Sequence, residues 1–136
     1  MKRREDWEQR LHAWHRETLN VPHDWGRNNC AFRAAGAIKA MTGEDLAKGF
    51  RVKVRSKKGF TKLMRDEGWD TLEDIADAFL TRTERPLRGD LVMLEGPNGD
   101  FFGIKVGKTA VGPTQRGLEH VSMLQMKAAW RVGENA

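Results

Sequence analysis

The spacing of apolar residues changes once along the chain, close to Pro86. Before this proline, apolar residues recur every three or four positions, as on one face of an α-helix. After it, short runs typical of β-strands (GDLVML, FFGIKVG, TAVG and AAWRVG) are separated by Gly, Pro and Asn. Helices followed by consecutive short strands indicate an α+β fold, with the helices on one face of a mostly antiparallel sheet.

Two longer helices are predicted in the first third of the chain. Residues 4–19 place an apolar stripe on one helix face, formed by Trp7, Leu11 and Trp14. Residues 30–41 are rich in alanine and end at Gly43, and either Asn28 or Asn29 can cap them. The small side chains of this second helix allow close approach, so we expect it to be the central helix against the sheet.

Two shorter helices should follow. One contains Phe60 and Leu63 and is closed by Gly68 in a left-handed conformation. The other begins near Asp70, which can cap it while Glu73 reaches back in an arrangement like a capping box.

Length and composition restrict the class of protein. A chain of 136 residues suits one compact domain, so residues 1–136 are expected to form a single unit. With 39% apolar and 32% charged residues, the composition is that of a soluble globular protein, and no apolar run is long enough to span a bilayer. The N-terminal stretch MKRREDWEQR lacks the apolar segment of a secretion signal. A single cysteine excludes an internal disulfide and favours a reducing compartment.

The net charge of +5 is concentrated in the segment RVKVRSKK, residues 51–58. Its first basic residues alternate with valines and predict an extended segment with one basic face; the basic residues are Arg51, Lys53, Arg55, Lys57 and Lys58. A solvated edge strand is the first interpretation, because lysine blocks edge pairing. A surface for nucleic acid or an acidic partner is the alternative, and DNA binding that falls steeply with salt would be its mark.

Cys30 opens the predicted central helix. The free N–H groups and the positive end of the helix dipole favour a thiolate at that position. Cysteine catalysis also needs a base, usually histidine, and a polar group that orients the base. Position alone therefore leaves Cys30 as either a nucleophile or a small core residue.

The motifs WGRNNC, MTG, GDLVML, FFGIKVG and AAWRV occur in an order and spacing that resemble the NlpC-type cell-wall peptidases of papain-like fold. The likeness is greatest to a compact branch found near phage and prophage tail genes, and it covers residues 7–132. It implies a papain-like α+β fold and, for active members, peptidoglycan stem peptides as substrates. It also implies other phage tail proteins as partners, with the host cytoplasm during assembly and the virion tail as locations.

The resemblance also implies residue roles. Cys30 matches the nucleophile, and Asn29 precedes it where the superfamily usually has aspartate. The general-base histidine of the family normally lies in a strand reading His-Val-Gly-Ile, which matches residues 101–104 here, so Phe101 occupies the histidine position. A phenylalanine cannot accept a proton, which predicts a peptidase scaffold with lost or altered hydrolase activity, a pseudoenzyme.

Two other histidines could replace the missing base in an active hydrolase. His120 follows Cys30 in the chain but falls beyond the expected strand, and His23 lies seven residues before Cys30 in the preceding loop, beside Asp24. His12 and His15 share the first helix and are interpreted as structural. The scattered histidines and single cysteine lack zinc-site spacing, and no phosphate-binding loop is present, so no metal or cofactor is predicted.

The two adjacent phenylalanines must point to opposite faces of their strand. We assign Phe101 to the former active-site groove, where an apolar plug would bind a neighbouring protein. The groove surface is expected to include Trp25, Asn29, Phe101 and Phe102. Cys30 is expected to be largely buried beneath Trp25, with no histidine beside it.

Overall fold

The computed structural model describes residues 1–22, 24, 29–114 and 117–133. The α-helices in these ranges are α1 (Trp7–Thr18), α2 (Cys30–Thr42), α3 (Lys57–Glu67) and α4 (Leu72–Phe79). The strands are β1 (Thr81–Arg82), β2 (Leu91–Gly96), β3 (Gly99–Lys105), β4 (Thr109–Thr114), β5 (Gly117–Ser122) and β6 (Met126–Arg131). Short 3-10 turns cover Arg51–Lys53 and Met123–Gln125. In these ranges, none of the helices combines the length and apolar character needed to cross a membrane.

The six strands form one sheet in the order β1-β6-β2-β3-β4-β5, and every neighbouring pair is antiparallel. In β2 to β6, residues that point to opposite faces of the sheet contribute to two separate apolar clusters. Residues of α1, α2 and α4 pack on one face, where the strands supply Leu91, Met93, Phe102, Ile104 and Trp130. The opposite face carries Val92, Leu94, Ala110 and Ala129. The α+β fold with helices on one face of an antiparallel sheet is confirmed.

The helix ends follow the predicted capping chemistry closely for α2 and α3. Asn29 caps α2, because its side-chain oxygen accepts a hydrogen bond of 2.8 Å from the N–H of Phe32. Gly43 ends the helix with φ of 85°, and Gly68 ends α3 with φ of 80°, both in the left-handed region that glycine adopts easily.

The cap of α4 differs from the prediction by one residue. Thr71 is the N-cap, and its hydroxyl accepts from the N–H of Asp74, whose carboxylate accepts from the N–H of Thr71 in return. This reciprocal pair is a capping box. Asp70 and Glu73 were wrongly assigned to it, because the correct partners occupy the same spacing one position later.

The prediction of an extended segment for residues 51–58 is wrong. Arg51–Lys53 forms a 3-10 turn, and Ser56 caps α3, which starts at Lys57. The Arg51 guanidinium binds Asp45 at 2.6 Å, which favours the turn over an extended chain. The alternation of charge and valine therefore reflects a turn followed by a helix, with Val52 exposed and Val54 buried.

A buried ion pair joins both ends of the described chain to the sheet. Asp90 directly precedes β2, and its carboxylate accepts hydrogen bonds from Arg3 Nη2 at 2.9 Å, Val132 N at 3.0 Å and Leu87 N at 2.8 Å. Arg3 Nε also donates to the carbonyl of Val132 at 2.8 Å. Burial lowers the pKa of Arg3. The GD motif at residues 89–90 thus contributes to the fold.

Candidate functional site

Cys30 is the first residue of α2 and is half-buried against the helix-facing core. Burial raises the pKa of its thiol, and this effect outweighs the opposing backbone hydrogen bonds, of which the one from Phe102 on β3 is the largest. The helix start therefore does not activate this sulfur, because a thiol with a raised pKa stays protonated at neutral pH.

Phe102 is one of the β3 side chains in the helix-facing core against which Cys30 packs. It is 3% exposed, and its ring packs edge-to-face on Trp130 with the centroids 6.1 Å apart. Strand pairing sets this orientation, since Phe102 lies opposite Met93 and both face the helices. The strand thus meets the sulfur with the backbone N–H of Phe102, and the Phe102 ring packs in the apolar core on the same face of the sheet.

The assignment of Phe101 to the groove is wrong. Its side chain belongs to the cluster on the sheet face away from the helices. The ring lies over two glycines of neighbouring strands, so that a β-carbon added at Gly96 or Gly112 would come within 2.8 or 2.5 Å of it. The sequence correctly predicted that Phe101 and Phe102 point to opposite faces of β3, but it assigned each of them to the wrong face.

His120 lies on β5, two strands away from β3, which corresponds to about 10 Å. Its Nδ1 is 2.8 Å from the Thr109 hydroxyl, and its ring contacts His15 of α1. Among the histidines that the structure describes, His12, His15 and His120, none forms a hydrogen bond with the Cys30 sulfur. His23 and Trp25 lie outside the described residues, and Asp24 is exposed.

Asn29 is 1% exposed and serves as the cap of α2. Next to it in the fold, the buried Arg33 donates from its guanidinium to the carbonyl oxygens of Thr18 and Val21. These bonds attach the start of α2 to the segment that leaves α1. Both polar side chains thus support the local backbone.

Residues 2–132 match the model of a family described as a domain of unknown function, DUF6950. The chain belongs to the DUF6950 family. No curated protein matches it. The DUF6950 match extends over every helix and strand described above, including both ends of the Arg3–Asp90–Val132 network.

The DUF6950 domain also has a strongly basic surface around the start of α3. Residues 46–65 contain no Asp or Glu, and their Lys and Arg side chains form what we call the basic surface: Lys48, Arg51, Lys53, Arg55, Lys57, Lys58, Lys62 and Arg65. Arg51 pairs with Asp45 and Lys62 with Asp66. Lys53, Arg55, Lys57 and Lys58 are exposed.

Within the described ranges, no group of three or more His, Cys, Asp and Glu side chains is placed to hold a metal ion. The site thus offers a thiol of raised pKa that packs against the apolar core, and a separate basic surface. Sequence reasoning missed one further feature, the contact between His15 and His120, because it joins residues far apart in the chain.

Proposed function

We propose that this protein is a phage tail-assembly or tail-tip protein that uses a peptidase-like, papain-like scaffold without hydrolysing peptide bonds. The observation that carries the loss of activity is the Phe102 ring on the strand beside Cys30, together with the raised pKa of the thiol. The assignment to a phage tail rests on the resemblance of the sequence motifs to NlpC-type proteins encoded near tail genes.

Chemistry supports the loss of activity. Attack by cysteine requires a thiolate and a base that later returns the proton to the leaving group. A positioned general base contributes about 10²–10⁴-fold to such reactions. Neither Phe101 nor Phe102 can supply it, whichever of the two corresponds to the histidine of the active enzymes.

Purified protein is expected to release no fragments from peptidoglycan or from synthetic stem peptides, and Cys30→Ala is expected to behave identically. The measurement is mass spectrometry of the soluble products, with an active cysteine peptidoglycan hydrolase as positive control. Turnover that disappears in Cys30→Ala would contradict the proposal and support the alternative of a working hydrolase. Comparing His23→Ala with His120→Ala would then identify its base.

The basic surface is the face that we propose for binding an acidic neighbour in the tail complex. Its exposed lysines at the start of α3 oppose the helix dipole, which favours negative charge there. The double variant Lys57→Glu/Lys58→Glu is thus expected to keep or strengthen α3. Loss of binding in this variant would therefore not reflect unfolding.

Capture of tail proteins from infected cells is expected to fall by about tenfold or more in Lys57→Glu/Lys58→Glu and to weaken with added salt. Lys108 is an exposed lysine in the turn before β4, and Lys108→Glu is the matched control. This variant should capture tail proteins as the natural chain does. Unchanged capture by the double variant would contradict this assignment. Salt-sensitive binding to DNA without tail proteins would instead support the nucleic-acid alternative.

A further inference from the structure

A cavity of about 180 Å³ lies between α1, β5 and the segment before β2. It is lined by two apolar side chains and four nitrogen-bearing ones, namely Leu11, Val106, His12, His15, His120 and Arg88. Among the residues that the structure describes, no carboxylate lines it. This composition differs from that of the apolar core beside Cys30, so the cavity is separate from the site described above.

Hydrogen bonds of the backbone and of two arginines fix the walls of this cavity. Leu118 at the start of β5 donates to the carbonyl of Leu19 after α1 at 2.9 Å. On the other wall, the carbonyl of Arg88 accepts from Arg3 Nη1 at 2.7 Å, and the Arg88 guanidinium binds Glu8 at 2.9 Å. The cavity is therefore held by contacts that do not involve the histidine rings.

His15 is the member of the cavity with an unmet hydrogen-bonding group. Its Nε2 is shielded from solvent and has no hydrogen-bond partner within the structure as described. The ring makes an edge contact with His120, with the centroids 5.6 Å apart. A buried polar atom without a partner destabilises a fold, so a ligand that forms a hydrogen bond with this nitrogen would stabilise the protein.

The charges around His15 determine which ligand suits it. Burial and the proximity of His120 and His12 lower its pKa, because a proton on His15 would be poorly solvated and would repel theirs. Arg88 adds a further positive group, which Glu8 partly balances from outside the lining. An acceptor with negative charge would pair with Nε2–H and relieve the repulsion.

We infer that this cavity binds a small oxyanionic group, a phosphate or a carboxylate. Its oxygens accept hydrogen bonds from His15 and His120 and lie near the Arg88 guanidinium. A shared metal ion suits the cavity less well, because the described histidines do not form a group able to hold one. The inference is independent of the assignment to a phage tail.

Calorimetric titration with inorganic phosphate and with acetate, at about pH 5.5 and about pH 8, tests the inference on either side of the usual histidine pKa near 6.5. At least one of the two anions is expected to bind about tenfold more tightly at the lower pH. The anion that binds shows whether the cavity prefers a phosphate or a carboxylate. In parallel, NMR of the imidazole nitrogens should show the pKa of His15 rising when the anion is bound.

The variants His15→Gln and His120→Gln are expected to weaken binding by about tenfold or more. Arg16→Gln removes a positive charge from the exposed face of α1 and is the matched control, which should bind as the natural chain does. His120 is exposed on β5, so its variant tests the site even if His15→Gln fails to fold.

Three results would overturn the inference. Absence of binding at both pH values would show that the cavity holds neither anion. Binding that Arg16→Gln weakens as much as the histidine variants do would mean an adventitious ion only. Tight binding of zinc that requires His12, His15 and His120 together would replace the anion with a metal.

Discussion

Replacing Asp90 with asparagine is expected to lower the free energy of unfolding by about 3–5 kcal/mol, because it leaves a buried guanidinium without its counter-charge. Asp90 is 0% exposed and its partner Arg3 is 4% exposed. The same carboxylate accepts the backbone N–H groups of Leu87 and Val132. Denaturant unfolding followed by circular dichroism measures the change.

Asp100→Asn is the control for that variant, since Asp100 pairs with Lys127 in an exposed ion pair, whose loss is expected to change the free energy of unfolding little. The double variant Arg3→Met/Asp90→Asn removes both charges and should recover part of the loss. Equal stability of the Asp90→Asn and Asp100→Asn variants would show that the network contributes little.

Asp90 of the GD motif is the centre of this network. The Asp90 carboxylate is not available as a catalytic group, because it is buried and accepts three hydrogen bonds. Their donors are Arg3, Leu87 and Val132. The role of Asp90 in this fold is to join the first residues and the end of β6 to the start of β2. The GD motif therefore has a structural role, and its presence is no evidence for catalysis at Cys30.

Local signals in the sequence were sufficient for the helices. Gly43 and Gly68 end helices through their backbone freedom and were placed correctly, and Asn29, the cap of α2, was one of the two asparagines predicted for that role. β5 was missed because its exposed residues are polar and only its first part is buried. Residues 51–58 were misassigned because the bond from Arg51 to Asp45 favours a turn that alternation alone does not predict.

The candidate site was harder to predict than the helices. The position of Cys30 at a helix start followed from its asparagine cap, but the state of its thiol depends on burial by other elements. Whether Phe101 or Phe102 faces the helices depends on the pairing of β3 with β2, which the pattern of β3 does not specify. The cavity around His15 combines α1 with β5, and no local signal indicates such a contact.

Native Cys30 is expected to react slowly with alkylating reagents. Burial raises the pKa of this thiol above its ordinary value, so the thiol stays protonated at neutral pH. Catalytic cysteines paired with histidine have pKa values of about 3–7 and are largely thiolate under the same conditions. Alkylation of native protein at neutral pH is thus expected to be at least about tenfold slower than at such a cysteine.

Two controls show that a slow reaction reflects the folded environment of the Cys30 thiol and that the label reports on Cys30. The urea-unfolded chain should react at the rate of an ordinary thiol, and Cys30→Ala should incorporate no label, because Cys30 is the only cysteine. His120→Ala should leave the rate unchanged, since His120 contacts Thr109 and His15 on a different part of the sheet.

The most direct test of the central claim, that Cys30 is not a catalytic nucleophile, is the pH dependence of its alkylation in the native protein. We expect the rate to keep rising with pH beyond the range in which an ordinary thiol reaches its plateau, because burial raises the pKa of Cys30. A rate that reaches its plateau below about pH 7.5 would reveal a thiolate stabilised by a positive partner, as in active cysteine peptidases, and would contradict the account.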